Sequence, residues 1–242
     1  MRYGFFSDVH SNLEALRVVV ADLKNERLDR VFFLGDAVGY GPDPNECASI
    51  IDEAAEVKLM GNHDYAALGL IETNLFNTYA QKSMEWTKSV LTEKSLKILS
   101  GFAMDHRFDQ SYLVHSTPKE PQEWSYILDL DDAEENFGFF NKQTCLIGHS
   151  HSPAIIKKYD DRHCFLHEEL STQIEKGFKY IINIGSVGQP RDGSNQACYL
   201  ICDTKEKTAA LKRLTYDFKK TQAKMKKNEL PQFLIDRLAV GR

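Results

Sequence analysis

Five short apolar runs of this chain each end in side chains that can bind a metal ion. The runs are rich in β-branched and aromatic residues, which is typical of buried strands. In sheets with parallel strands, sites form in the crevice outside the carboxyl ends of the strands. The polar stretches are therefore predicted to meet at one edge of a sheet, with enough ligands for two metal ions. These stretches are Ser7-Asp8-Val9-His10, Gly35-Asp36, Gly61-Asn62-His63-Asp64, Val114-His115 and Gly148-His149-Ser150-His151.

The first two runs are each followed by a helical pattern. Apolar residues over 13–23 recur at the spacing of one helix face. The second unit has a strand at residues 31–34, a Gly/Pro-rich loop, and a helix over about 45–55 with Asn45 as its N-cap. This start predicts a parallel βαβαβ unit that ends at Gly61.

The middle of the chain favours helix and loop. Residues of about 65–101 show no strong strand pattern and are predicted to form a helical insertion. Because this insertion lies between Asn62 and His115, it is expected to border the site. A loop is predicted over 116–126 and a helix over about 131–140.

The last third has short β segments, which are predicted to form a second sheet packed against the first. The C-terminal tail, about 217–242, is predicted to be helical and is rich in lysine. It could bind an acidic surface. The preferred interpretation is a tail that docks on its own domain through an apolar stripe. The predicted β segments lie near residues 162–166, 180–184, 197–203 and 208–214.

Composition limits the classes of protein to which the chain can belong. With 242 residues and 42% hydrophobic residues, one α/β domain over 1–242 is the natural expectation. The formal net charge of −5 argues against a protein that wraps nucleic acid or lies on anionic lipid. The chain enters its first strand at once and has no run of membrane-spanning length, which favours a cytoplasmic protein without a membrane partner.

The five cysteines form no C-x-x-C pair, and their odd number argues against a disulfide framework. They are expected to be reduced. Cys145 lies inside an apolar run, where a thiol usually behaves as a small buried hydrophobe.

The order D-x-H, G-D, G-N-H-D, lone H and G-H-x-H resembles the signature of the calcineurin-like metallophosphoesterase superfamily. The Gly/Pro-rich stretch over 35–45 is similar to a small single-domain bacterial and archaeal branch of that superfamily, which resembles phosphodiesterases. The resemblance implies a metallo-dependent phosphatase-like fold. This is an α/β fold in which helices flank a two-sheet β-sandwich, giving four layers in the order α/β/β/α.

The resemblance also implies a ligand set for two divalent metal ions. Asp36 would bridge the ions, since one carboxylate can hold two metals about 3.5 to 4 Å apart. Mixed nitrogen and oxygen ligands suit Mn, Fe or Zn, with Mn favoured for activity. The implied ligands are Asp8, His10 and His151 for one ion, and Asn62, His115 and His149 for the other.

By the same resemblance, a hydroxide that bridges the two ions would attack the phosphorus, because metal coordination lowers the pKa of water. His63 would protonate the leaving group or stabilise the transition state. Asp64 is expected to orient and charge His63, since a neighbouring carboxylate raises the pKa of a histidine.

Three further residues are candidates for binding substrate. Asn12 resembles a phosphate-contacting position, although Ser11 stands where relatives carry glycine. Tyr40 would stack on an aromatic or nucleoside portion of the substrate. Arg191 could clamp a phosphate oxygen, or it could be a surface arginine on a Gly/Pro turn.

The preferred function is hydrolysis of a small, nucleotide-like phosphodiester. Protein phosphatases and symmetrical diadenosine tetraphosphatases of the superfamily carry an arginine shortly after the bridging aspartate, whereas Asp36 is followed by Ala37-Val38-Gly39 here. A phosphomonoesterase and a nuclease are the enzymatic alternatives, with nucleic acid disfavoured as a partner by the charge balance. A scaffold without catalysis is the least favoured reading, because no ligand is missing.

Overall fold

The structure, a computed structural model, describes residues 1–159 and 163–242, apart from the side chain of Leu75. The described residues form two six-stranded sheets and eight α-helices. The strands are β1 (Arg2–Phe6), β2 (Arg30–Phe33), β3 (Val57–Lys58), β4 (Asp105–Phe108), β5 (Ser111–Val114), β6 (Thr144–Ile147), β7 (Ala154–Lys158), β8 (Cys164–Leu166), β9 (Ser171–Gln173), β10 (Lys179–Asn183), β11 (Ala197–Asp203) and β12 (Thr208–Leu214). The helices are α1 (Leu13–Asn25), α2 (Pro44–Ala54), α3 (Asn62–Ala67), α4 (Thr78–Val90), α5 (Glu93–Ser100), α6 (Leu130–Asn136), α7 (Phe218–Lys227) and α8 (Gln232–Val240).

Each sheet contains a parallel part, and both parallel parts end at the same edge of the molecule. The first sheet has the order β3-β2-β1-β11-β12-β9, in which β1, β2 and β3 run parallel. The second has the order β4-β5-β6-β10-β7-β8, in which β5, β6 and β10 run parallel. The polar stretches follow β1, β2, β3, β5 and β6, so the topology brings ligand residues from both sheets together.

A continuous apolar core separates the two sheets. Its side chains include Phe5, Phe32, Leu146, Ile182 and Leu200, all of which are almost fully buried. Helices α1 and α2 cover the outer face of the first sheet, and α6 covers that of the second. This confirms the predicted two-sheet sandwich with four layers in the order α/β/β/α.

The prediction that the last third builds a second sheet of its own is wrong. Strand β11 pairs antiparallel with β1, and β12 extends the same first sheet, whereas β10 joins the second sheet beside β6. Short apolar strands carry no signal for their pairing partner, and here the chain crosses between sheets. Of the segment predicted near 162–166, Arg162 lies outside the described residues and Cys164–Leu166 forms β8.

The helical elements lie close to where the sequence places them. The region predicted as a helical insertion contains α4, α5 and the second half of α3. The predicted N-cap at Asn45 is wrong, because Asp43 occupies that position and Pro44 begins α2. The Asn45 side chain instead binds the backbone of Val90 and Thr92, which ties α2 to the start of α5.

The lysine-rich tail docks on its own domain. Met225, Leu234 and Leu238 of α7 and α8 are buried against Tyr40 and Ala80. All five cysteines are free thiols, as the sequence predicts. Among the described residues, no helix combines the length and apolar character that a membrane crossing requires.

Candidate metal centre

Two groups of buried side chains meet at the carboxyl ends of the parallel strands and share one residue, Asp36. In each group the potential ligand atoms all lie within 4.8 Å of one another. A shared carboxylate is the arrangement expected of a two-metal site. The first ligand group is Asp8, His10, Asp36 and His151, and the second ligand group is Asp36, His115 and His149.

Asp36 stands between the two groups. Its Oδ2 atom is 3.4 Å from Nε2 of His10 and 3.4 Å from Nε2 of His115. Its Oδ1 atom accepts a hydrogen bond of 2.9 Å from the backbone N–H of His63, which fixes the carboxylate plane. Asp8 Oδ1 lies 3.2 Å from Nε2 of His151. Two carboxylates and four imidazoles thus face one small volume.

The outer nitrogen of each candidate histidine ligand is held by a backbone carbonyl. Nδ1 of His10, His115 and His151 lies 3.1, 2.7 and 2.6 Å from the carbonyl oxygens of Val38, Leu34 and Gln189. His149 is reversed, with Nε2 lying 2.9 Å from the carbonyl of Trp124. When these nitrogens donate, the neutral rings turn an unprotonated nitrogen toward the centre, as ligands must.

Several inward-facing atoms lack the partners that burial demands. Asn62 Oδ1 and His115 Nε2 are buried without a hydrogen bond. Nε2 of His10 lies 3.0 Å from Nε2 of His151, and when both Nδ1 atoms donate, the two Nε2 lone pairs face each other as they would around a bound cation. Buried polar atoms of this kind are costly unless something binds them. The donor set of imidazole, carboxylate and amide oxygen fits Mn, Fe or Zn.

The electrostatics of the protein groups agree with this fit. Burial raises the pKa of a carboxyl group, yet neighbouring histidines hold the pKa values of Asp8 and Asp36 well below the usual range. Burial lowers the pKa of His149 to about 3 and that of His10 well below its usual value. Burial also opposes protonation of His115, but Asp36 and Asp8 raise its pKa to about 9, so a proton and a metal ion compete for its Nε2.

The ligand loops adopt a backbone conformation that is uncommon for residues other than glycine. Asp8, His10, Asp36, His149 and His151 all have φ between 47° and 68°. Such a conformation costs about 1 to 2 kcal/mol per residue and persists only where the surroundings enforce it. Ser11, at a position where the family resemblance implies glycine, also has φ 56°. The loop therefore keeps the left-handed shape despite the substitution.

The sequence predicts that Asp64 contacts His63, but in the structure the carboxylate of Asp64 points elsewhere. Its carboxylate accepts hydrogen bonds from the backbone N–H groups of Asp36, Ala37, Val38 and Gly61, at 2.8, 2.9, 3.2 and 3.1 Å. Asp64 is fully buried and joins the loop after β2 to the loop after β3. Its adjacency to His63 in the chain is misleading, because successive residues of a helical turn point in different directions.

His63 itself lies beside the first ligand group. Its ring centroid is 4.8 Å from that of His10, 4.4 Å from Tyr40 and 4.7 Å from Phe76. Nδ1 of His63 is buried without a hydrogen-bond partner, and burial lowers the pKa of the ring to about 4. The ring of His63 is therefore neutral at physiological pH.

Asn12 and Tyr40 do not have the freedom that substrate binding would require. The Asn12 amide donates to the Gly188 carbonyl and the Tyr216 hydroxyl, while its oxygen accepts from Ala15 N–H and Thr221 Oγ1. All its hydrogen-bonding capacity is used inside the protein. Asn12 has a structural role as the N-cap of α1, and its predicted contact with phosphate stays a prediction that these hydrogen bonds do not favour.

The ring of Tyr40 is 7% exposed and packs against His10 and His63, with centroid distances of 4.5 and 4.4 Å. A nucleoside could not stack on a face that these rings already cover. This packing does not favour the stacking role, which stays a prediction. Tyr40 instead receives a hydrogen bond of 3.4 Å from Nη2 of Arg191, which is the partly exposed candidate for binding substrate.

Sequence reasoning missed residues that position the ligands from loops without a motif. The carbonyls of Trp124 and Gln189 hold His149 and His151. Tyr126 stacks on His149 with a centroid distance of 4.0 Å and an interplanar angle of 14°. Trp124 and Tyr126 fall within the loop predicted over 116–126, but no sequence pattern marks their contacts with His149.

Comparisons with known proteins agree with the geometry. The family model described as the calcineurin-like phosphoesterase superfamily domain matches residues 1–207. An uncharacterised protein of Methanocaldococcus jannaschii is 39% identical over 241 residues, which is 98% of this chain and 96% of that protein. The crystal structure of a metallophosphoesterase from Sphaerobacter thermophilus is 35% identical, with a TM-score of 0.88 over 100% of this chain and 99% of its own.

A hypothetical protein from Pyrococcus horikoshii shares the fold at 15% identity, with a TM-score of 0.78 over 100% of this chain and 98% of that one. The matched family, the full-length similarity and the shared carboxylate between two ligand groups point to one conclusion. The chain belongs to the calcineurin-like phosphoesterase superfamily.

Proposed function

We propose that this protein is a dinuclear metal-dependent phosphodiesterase that hydrolyses a small, nucleotide-like ester. The observation that carries the proposal is the presence of Asp36 in both candidate ligand groups. Asn62 Oδ1, a buried acceptor without a partner, completes the second group. When bound, two transition-metal ions supply Lewis acidity to the phosphoryl oxygens and lower the pKa of water.

The residues of the chain hold these ligands in place before substrate arrives. Backbone carbonyls orient the four histidines, and the carboxylate of Asp64 fixes the loops that carry Asp36 and Asn62. Preorganised dipoles of this kind need no reorganisation during the reaction, which is their advantage for catalysis. Tyr40 and Phe76 pack against His63 and exclude water from its ring.

His63 acts as a neutral hydrogen-bond donor to the reacting phosphoryl group. A catalytic acid would need a pKa near neutrality. Burial lowers the pKa of His63, and the carboxylate of Asp64 is occupied elsewhere. The formal net charge of the chain is −5 rather than strongly positive, and this favours a small substrate over a nucleic-acid strand.

The test is hydrolysis of bis(p-nitrophenyl) phosphate and p-nitrophenyl phosphate by metal-stripped protein, with and without added Mn²⁺. Turnover that depends on Mn²⁺ and favours the diester is expected. A preference for the monoester would move the assignment to phosphomonoesterase. Activity confined to oligonucleotides would indicate a nuclease, and binding of metal without activity on any ester would contradict an enzymatic role.

A further inference from the structure

Two arginines from distant parts of the chain meet beside the metal centre. Nη2 of Arg191 and Nη1 of Arg237 donate to the same atom, Oε1 of Gln189, at 3.0 and 3.1 Å. Arg191 follows the second sheet, whereas Arg237 lies in α8 of the C-terminal tail. The family domain matches only residues 1–207, so Arg237 belongs to a part of the chain outside it.

The positive charges of the pair are not balanced by acidic side chains. Within residues 1–159 and 163–242, no aspartate or glutamate side chain forms an ion pair with either arginine. Arg191 also contacts the hydroxyl and the ring of Tyr40. Arg237 lies over the ring of Phe233, and its Nε donates to an oxygen of the C-terminal residue, Arg242. Nε of Arg191 is buried without a hydrogen bond. Two guanidinium groups that share one neutral acceptor form a site suited to an anion.

The pair is fixed relative to the metal ligands. The backbone N–H of Arg191 donates to the carbonyl of His151, and the Gln189 carbonyl holds Nδ1 of the same histidine. Arg191 lies close enough to His63 and His151 for its charge to lower their pKa values. Both arginines are partly exposed, so an anion from solvent can reach them.

The tail holds Arg237 in place. Leu234, Ile235 and Leu238 of α8 are buried, and the backbone N–H of Gly193 donates to the carbonyl of Gly241. Burial and the charge of Arg191 lower the pKa of Arg237 to about 10, which leaves it protonated at neutral pH.

From this geometry we infer that Arg191 and Arg237 bind a second phosphoryl group of the substrate, next to the one held at the metal centre. The inference deepens the proposed function and rests on it. The substrate class is then a nucleotide-like ester with at least two phosphoryl groups. Guanidinium groups bind such oxygens in a bidentate geometry, which gives the site its specificity.

The experiment measures binding rather than turnover, so it does not depend on hydrolysis. Dissociation constants of AMP and adenosine 5′-(α,β-methylene)diphosphate are measured by calorimetry on Mn²⁺-loaded protein. The diphosphate analogue cannot be cleaved between its phosphorus atoms. We expect it to bind at least about tenfold more tightly than AMP, as charge-assisted hydrogen bonds to a second phosphoryl group require.

Arg237→Met should remove most of that preference, while Arg237→Lys should retain part of it because it keeps the charge but not the fork. Arg191→Met tests the other half of the pair if the α8 variant is poorly folded. Arg107→Met is the matched control, because Arg107 also stacks on an aromatic ring but lies on β4, in an ion pair with Asp105.

Equal affinity for the two nucleotides, or no binding of the analogue, would overturn the inference. An equal loss of affinity for both nucleotides in Arg237→Met and Arg191→Met would also overturn it. The two arginines would then bind the phosphoryl group at the metal centre rather than a second one. Failure of the proposed function would appear separately, as absence of diester hydrolysis by a protein that still shows the preference.

Discussion

His63 illustrates how the surroundings of one residue decide its chemistry. A histidine beside a metal centre can act as an acid only if something stabilises its protonated form. Here the ring is 4% exposed, and its Nδ1 has no hydrogen-bond partner among the described residues. Bound dications would disfavour a positive charge further. These surroundings support the proposed role of His63 as a neutral N–H donor that stabilises charge in the transition state.

The variant His63→Asn tests this role. It should retain both metal ions and slow turnover by about 10²- to 10⁴-fold. Because a neutral donor acts on the phosphoryl group, the loss should be similar for diphenyl phosphate and bis(p-nitrophenyl) phosphate. Metal content is measured by mass spectrometry and turnover by phenol release.

A much smaller loss with the nitrophenyl ester would show that His63 protonates the leaving group instead. Loss of metal from His63→Asn would make His63 a ligand. His106→Asn is the control, since that ring contacts Phe32 and Phe108, away from the site, and should leave turnover unchanged.

Position 61 requires glycine because there is no room for a Cβ atom, and not because of its backbone conformation. A Cβ atom there would lie 2.0 Å from Asp36 Oδ1 and 2.5 Å from the backbone nitrogen of Asp36. Gly61→Ala must therefore displace the shared carboxylate, and a shift of about 1 Å at a reacting centre can cost about 10²-fold in rate. We expect loss of at least one metal ion and a corresponding loss of diester hydrolysis.

The control is Gly138→Ala, at a position where a Cβ atom would have nothing within 4 Å. It should keep full metal content and activity. Full activity in Gly61→Ala would mean that Asp36 does not need its present position, which would contradict the bridging role.

The sequence made the candidate ligands visible at the residue scale, because short motifs at strand ends keep their order along the chain. It could not reveal where neighbouring side chains point. Asp64 follows His63 directly but faces the loop of Asp36. Asn12 and Tyr40 lie in the ligand loops, yet the C-terminal helices occupy their free sides, and that packing has no local signal.

At the scale of elements, ion pairs link α7 to the first turn of α1 and to the N-cap of α2. Lys224 lies 2.8 Å from Glu14 and 2.8 Å from Asp43, and Thr221 Oγ1 contacts both Asn12 and Glu14. The Glu14 side chain is only 6% exposed, so it depends on its cationic partners. This docking also positions α8, and with it Arg237.

Lys224→Met should destabilise the protein by about 1 to 3 kcal/mol, because it leaves two largely buried carboxylates with fewer partners. Burial raises the pKa of Glu14, but Lys224 and Lys220 bring it below its usual value. A carboxyl group with a lowered pKa contributes stability above its unfolded pKa and loses it as the pH falls. The difference between wild type and variant should therefore be largest near pH 7 and shrink below about pH 4.

Denaturant unfolding at both pH values measures this difference. Lys226→Met serves as the control, since Lys226 is exposed on the same helix, and it should change stability by less than about 0.5 kcal/mol. A constant difference at all pH values would show that lost packing of the lysine stem, rather than charge, causes the effect.

Prediction of elements succeeded where periodicity is local and failed where pairing is long-range. The βαβαβ start and the helices near 131–140 follow from spacing alone. The assignment of β11 and β12 to the first sheet depends on contacts between residues far apart in sequence, such as Gly4 with Ile201. Asp43 replaced Asn45 as N-cap because Pro44 is favourable in the first turn of a helix.

At the scale of the whole molecule, the candidate ligands join the two sheets. Asp8, Asp36 and Asn62 follow strands of the first sheet, whereas His115 and His149 follow strands of the second. The backbone N–H of His149 also donates to both carboxylate oxygens of Asp8, at 3.2 and 3.1 Å. A ligand that binds here stabilises the contact between the sheets as well as the site.

Metal should therefore raise the thermal stability of the entire chain. A ligand that binds only the folded state adds about 2.7 kcal/mol at a concentration of 100 times its dissociation constant. Protein stripped with a chelator should unfold at a lower temperature, and Mn²⁺ should restore the transition. Scanning calorimetry measures the shift, and metal analysis should give two ions per chain.

Asp36→Asn should abolish most of this shift, because both ligand groups lose their shared anion. Asp131→Asn is the control, since Asp131 is exposed in the first turn of α6 and should keep the full shift. An unchanged shift in Asp36→Asn would mean that Mn²⁺ binds elsewhere, and one ion per chain in the wild type would contradict the dinuclear centre. The shift also depends on pH: protons compete for the ligand atoms, so it should shrink as the pH falls.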